Sequence, residues 1–193
     1  MARWLKRVTL AVIGVPLLAL VAWYSFSFLP HLGDLNDISS RGSESITAIE
    51  SVLYPLAVAS ESKEGIRAYA MRQAYYSLEH KDNSGRTLVW HANNILWYGA
   101  SYLHFNDREL FGIWAQCALS ECGQGGLNEI ARKYFGKELV AFSEKELSGL
   151  VAVIRSPTKF PPRTDAGEKR ATEILERAKT HNHTLERNGP QLR

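Results

Sequence analysis

Val8 to Leu29 contains no Asp, Glu, Lys or Arg, an uncharged run of 22 residues. That matches the roughly 20 apolar residues a helix needs to cross the hydrocarbon core of a bilayer. Trp4 stands at one end of the run and Trp23, Tyr24, Phe26 and Phe28 at the other, where interfacial aromatics belong. Arg3, Lys6 and Arg7 lie on the N-terminal side, so the N-terminus is expected in the cytoplasm and the body across the membrane, periplasmic or otherwise extracytoplasmic. The run is long for a cleaved signal peptide, and no small-x-small site precedes a polar stretch. The expectation is an uncleaved, single-pass anchor in the inner (cytoplasmic) membrane, with the lipid bilayer as its first partner.

The remaining chain is electrically balanced. Of the 23 Lys and Arg, three precede the apolar run, which leaves 20 against 20 acidic residues. Nucleic-acid binding needs clustered surplus cations, so no nucleic-acid partner is expected. Hydrophobic residues make up 45%, enough for one packed domain. Cys117 and Cys122 are the two cysteines. A bridge between them requires the local helix to end near Ser120, and a pair of buried thiols is the alternative.

Pro30 to Gly42 concentrates Gly, Asp, Asn and Ser and reads as a polar connector. After it, Ile46, Ile49, Leu53 and Leu56 recur at helical spacing, with Ser43 and Ser45 as caps and Pro55 as the expected bend or stop. Glu64 to Leu78 and Arg86 to Leu103 read as further helices. Asn106 with Glu109 opens another, running through Phe111, Trp114 and Leu119. Gly123, Gly125 and Gly126 form a turn before Leu127, Ile130, Ala131 and Tyr134, which make one apolar face ending at Gly136, a position suited to a left-handed residue. Ser143 with Glu146 is a capping box for a helix through Leu147, Leu150, Val151 and Ile154, stopped by Pro157, Pro161 and Pro162. Thr164 or Asp165 caps a last helix along Ala171, Ile174, Leu175 and Ala178. No stretch alternates at period two, so the fold class is all-α. The partition is residues 1–30 as cytoplasmic N-terminus and anchor, 31–42 as connector, 43–180 as helical domain and 181–193 as a polar tail.

Motifs of common chemistry are lacking. There is no Walker loop and no zinc-spaced Cys/His set, and His181-Asn182-His183 lacks a third ligand. Ser45 and Ser156 have no strand-turn-helix context for a hydrolase nucleophile.

From Asn106 to Pro162 the chain resembles the glycosyltransferase family 51 domain of peptidoglycan polymerases, found alone or at the front of bifunctional penicillin-binding proteins. Without a gap, Trp114-Ala115-Gln116 stands at the family's Tyr-x-Asn, Gly123 at the second turn glycine and Gly126-Leu127 at Gly-Ile. Tyr134-Phe135-Gly136-Lys137 is intact, and Ser143, Glu146, Leu150, Pro157 and Pro162 keep step. Lys169-Arg170-Ala171-Thr172-Glu173-Ile174-Leu175 is similar to the closing Arg-Arg-x-x-Val-Leu. Upstream, Ala48-Ile49-Glu50-Ser51-Val52-Leu53-Tyr54 aligns with Ala-Ile-Glu-Asp-x-x-Phe. Arg72-Gln73 lies where Thr-Gln-Gln would be, and Arg86-Thr87-Leu88 matches the start of the third motif. There Trp90-His91 replaces Arg-Lys and Asn94 replaces the second catalytic Glu.

The resemblance implies a compact, lysozyme-like helical domain behind the anchor. It implies Glu50 as the general base on the acceptor sugar and Arg72, Gln73, Arg86, His91 and Asn94 as substrate-binding residues, with Arg72 and Arg86 near the diphosphate. It implies no organic cofactor, and a divalent cation on the departing diphosphate if the chain is active. Joining two diphosphate-linked lipid sugars needs a base and compensating positive charge. Asn94 cannot ionise and Trp90 brings no charge. The expected function is therefore a non-catalytic, membrane-anchored cell-envelope binding or assembly protein, with lipid-linked peptidoglycan precursor or envelope proteins as partners. The alternative is an active glycosyltransferase that polymerises that precursor using Glu50.

Overall fold

The computed structural model describes residues 2–79, 87–119, 122 and 125–187. The helices are α1 (Ala2–Trp23), α2 (Leu32–Ile46), α3 (Glu50–Glu79), α4 (Thr87–His104), α5 (Asp107–Gln116), α6 (Gly126–Phe135), α7 (Glu144–Arg155) and α8 (Asp165–Arg187). No strand occurs among the described residues, and the fold is all-α as the sequence predicts. The N-terminal helical segment is long and apolar enough to cross a membrane. Val12, Ile13, Val15, Leu17, Leu18 and Val21 are exposed around α1, and a helix apolar on every side needs an apolar surrounding.

The junction after α1 differs from expectation. Residues 31–42, read above as a connector, are helical: the chain passes through a π turn (Tyr24–Phe28) and a 3-10 turn (Leu29–His31) directly into α2. Pro30 lacks an N–H and its ring crowds the preceding turn, so a local change of winding carries the helix past it. Within α2, Asp34, Asn36, Asp37, Ser40 and Arg41 face solvent, whereas Leu35, Ile38, Ser39, Gly42 and Ile46 are buried at helical spacing. That buried stripe lies on α5 at very close range. A Cβ added to Gly42 would stand 1.9 Å from the Gly112 carbonyl oxygen, and one added to Gly112 would stand 2.4 Å from that of Ser39. Ser39 Oγ ties the two helices by donating to the Glu109 carbonyl at 2.8 Å.

Pro55 does not end α3. The break comes at Ser62, which adopts φ 63° and ψ 167°, a conformation costly for a non-glycine residue. On either side of it Leu53, Leu56, Ala57, Ile66, Ala70 and Met71 enter the core.

Three of the predicted caps form, whereas Ser43 and Ser45, read as caps of the next helix, lie inside α2, where Ser45 Oγ donates back to the Gly42 carbonyl at 2.8 Å. Asn106 and Glu109 make a reciprocal capping box, as do Ser143 and Glu146, and Thr164 Oγ1 accepts from the Gly167 N–H at 3.2 Å. Leu147, Leu150, Val151 and Ile154 of α7, with Ala171, Ile174 and Ala178 of α8, are buried. Gly125, Gly126 and Gly136 have φ of 54°, 52° and 72°. The preceding Gly123 lies outside the described residues. Helix α5 stops at Gln116 rather than reaching Leu119, and Cys117 then pairs with Cys122 in a disulfide. Helix α8 runs on through His181 and His183 to Arg187, inside the stretch read as a polar tail.

Candidate functional site

The described residues that the family resemblance singles out lie on two helices, Glu50, Arg72 and Gln73 on α3 and His91 and Asn94 on α4. Glu50, at the first turn of α3, is held by Arg108 of α5 in a two-pronged ion pair, with Nε to Oε1 at 3.0 Å and Nη2 to Oε2 at 2.8 Å. Bidentate pairing of this kind engages both carboxylate oxygens, so the expected general base is occupied. Arg72 lies beyond the Ser62 break, exposed, with its guanidinium 5.5 Å from the Tyr69 ring centre. Gln73 hydrogen-bonds the Tyr69 hydroxyl, which also accepts from the Leu119 N–H at 3.2 Å.

On α4, His91 is exposed and sits edge-to-face on Trp90, with centroids 4.8 Å apart. Asn94 turns its amide back to the Trp90 carbonyl at 2.7 Å, leaving its Oδ1 buried and unpaired. Arg86 lies outside the described residues. Among those described, no hydrogen bond or ion pair joins Glu50 to Arg72, Gln73, His91 or Asn94. No group of three His, Cys, Asp or Glu among them is arranged to hold a metal ion.

A different acidic residue has the more unusual surroundings. Glu61 precedes the strained Ser62, its side chain is 1% exposed, and neither carboxylate oxygen has a hydrogen-bond partner. Arg155 at the end of α7 approaches to 4.0 Å. Burial raises the Glu61 pKa above its ordinary value, opposed by the charges of Arg155, Arg72 and Arg170. The Nε of Arg170 is itself buried without a partner, while its Nη1 donates to Glu173 at 3.2 Å. One buried carboxyl at a helix break, with Arg155 at 4.0 Å and the charges of Arg72 and Arg170 also acting on it, is the closest approach in the described structure to a tuned acid. Sequence reasoning missed it because Ser60-Glu61-Ser62-Lys63-Glu64 reads as a solvated polar run.

The raised pKa sets a sign. A carboxyl with a higher pKa folded than unfolded supports the folded state fully below the unfolded value of about 4.5, and that support is lost as pH rises through the folded pKa. Denaturant titrations in detergent should therefore show Glu61→Gln gaining stability relative to the parent as pH rises from acid to neutral. A gap that stays constant across that range would refute the assignment.

A shallow cleft of about 250 Å³ opens between the end of α6, α7 and the start of α8, lined by Phe135, Lys145, Glu146, Gly149, Phe160 and Arg163 among others. At its edge, Lys137 Nζ lies 2.6 Å from Glu146 Oε1. That contact, with the Ser143 N–H and hydroxyl, pulls the Glu146 carboxyl down to about 2. This pair locks the α6–α7 connection and ties up the Glu146 carboxyl at the cleft's edge. The intact Tyr134-Phe135-Gly136-Lys137 run is thus packing and ion-pair structure.

A third polar cluster sits where the anchor meets the body. Trp23 Nε1 donates to Asn93 Oδ1 at 2.8 Å, and Asn93 Nδ2 donates to the Tyr75 hydroxyl at 3.0 Å. Tyr24 hydrogen-bonds His104, and His31 Nε2 lies 3.1 Å from Glu79. These contacts fasten α3 and α4 to the C-terminal end of α1 and the turns that follow it.

Comparison of the chain with family models, with characterised proteins and with solved structures finds no match.

Proposed function

We propose that the chain is a single-pass membrane protein, N-terminus in the cytoplasm, whose helical body is a non-catalytic binding or assembly domain on the extracytoplasmic side of the inner membrane. The observation that carries this reading is the Glu50–Arg108 pair, which engages both oxygens of the expected base. The disulfide between Cys117 and Cys122 suits an oxidising compartment. The family 51 resemblance supplies the ligand class: lipid-linked peptidoglycan precursor, or the envelope proteins that handle it.

The test is purified full-length protein in detergent, supplied with labelled lipid-linked disaccharide precursor. Binding without glycan product, unchanged in Glu50→Gln, is the expected outcome. Polymer that disappears in Glu50→Gln would overturn it. One observation favours a second reading, an active peptidoglycan glycosyltransferase: Glu61 is a buried carboxyl of raised pKa, with Arg155 at 4.0 Å and the charges of Arg72 and Arg170 acting on it. Polymer that persists in Glu50→Gln but vanishes in Glu61→Gln would establish that reading instead.

A further inference from the structure

Helix α4 carries no Asp, Glu, Lys or Arg in its 18 residues. Its inner side is well seated. Trp97 is fully buried among Phe28, His31 and Tyr75, with ring centroids 5.2, 5.8 and 5.4 Å away. The outer side is a continuous apolar stripe: Leu88, Ala92, Ile95, Gly99, Tyr102 and Leu103 recur at helical spacing and all are exposed. Leu88, Ile95 and Leu103 are 82%, 70% and 76% exposed. Patches of this kind on a water-facing surface mark an interaction site.

The direction of α4 says what covers the stripe. Asn93 and His104, 11 residues and so about 16 Å apart along α4, contact the adjacent residues Trp23 and Tyr24 of the anchor. A helix running alongside the anchor would place those two contacts about 16 Å apart on it as well. Meeting neighbouring residues means that α4 crosses the anchor, and it does so at the aromatic girdle that closes the apolar run. A helix transverse to a membrane-crossing segment at that level lies in the plane of the interface. Charge is excluded from its full length, and the tyrosines Tyr98 and Tyr102, joined hydroxyl to hydroxyl at 2.7 Å, suit the headgroup depth. Charge returns beside the C-terminal end of α4, where Arg67 covers the Tyr102 ring at 3.9 Å and pairs with Asp107.

We propose that the outer face of α4 lies in the acyl–headgroup boundary of the same bilayer that α1 crosses, forming a second, interfacial attachment. This inference rests on the membrane-anchor reading.

Its test uses the full-length chain, with Ile95→Cys, Leu103→Cys, Val15→Cys and Lys179→Cys each labelled with an environment-sensitive dye under non-reducing conditions. Each is reconstituted into phosphatidylcholine–phosphatidylglycerol liposomes with and without spin-labelled phosphatidylcholine. Labels at 15, 95 and 103 should be quenched at least about two-fold while the label at 179 on α8 is not. Quenching at 15 without quenching at 95 and 103 overturns the inference and leaves the anchor standing, whether that face is bare or covered by a second copy. Absence of quenching at 15 overturns the anchor reading and the inference with it.

Discussion

Gly42→Ala is expected to destabilise the folded body by at least about 3 kcal/mol, the upper end of overpacking in a dense core. On an open helix surface the same exchange gains about 0.5–1 kcal/mol, because alanine has less backbone freedom to lose. The sign reverses here because the new methyl would stand 1.9 Å from a backbone oxygen of Gly112, which cannot rotate away as a side chain tip would. Separation of α2 from α5 would follow, with loss of cover over Leu35, Ile38 and Ile46. Gly112→Ala should act in the same direction, since its methyl would meet both the Ser39 carbonyl and the Ser43 hydroxyl at 2.4 Å. Gly99→Ala is the control: nothing lies within 4 Å of its added carbon. Denaturant midpoints followed by far-ultraviolet circular dichroism decide the matter. A Gly42→Ala protein as stable as Gly99→Ala would show that the two helices do not cross at these glycines.

Trp97→Ala is the second large loss, about 3–5 kcal/mol for removal of a fully buried indole. Its ring is the part of α4 that Phe28 and His31 meet at the foot of the anchor and that Tyr75 meets in α3. Removing it should loosen the anchor from the body as well as lower overall stability. Limited proteolysis in detergent should then cut within residues 24–31 under conditions where the parent resists. The Trp97→Phe variant, which keeps an aromatic ring in place, should recover most of the resistance. Equal protection in Trp97→Ala and the parent would mean that the anchor is held by other contacts.

Much of the architecture can be read directly from residue spacing. The apolar run, the two capping boxes, the faces of α7 and α8 and the left-handed Gly136 follow from local rules that act within a turn or two of helix. The reading failed where one residue type serves two ends. Gly42 and Ser39, taken as linker punctuation, are small because another backbone must pass close by, and nothing within their own segment reveals that partner. Pro55, near the start of α3, removes a single interior hydrogen bond, and the break falls at Ser62 instead. The candidate site was less legible for the same reason. Glu50 and Glu61 are both ordinary acids in a polar-looking context, and they differ through long-range neighbours: Arg108 near one, burial and Arg155, Arg72 and Arg170 around the other.

The unbroken passage from α1 through the π and 3-10 turns into α2 leaves the molecule without a swivel. The apolar helix, long enough to cross a bilayer, continues as the same rod that packs on α5 in the body. Rotation of one is therefore rotation of the other. Inserting a single residue in the stem would turn the body by about 100° and lift it by about 1.5 Å, rather than adding slack. Any partner that grips both α1 and the body meets them in one fixed phase, and the length of the stem is constrained by angle.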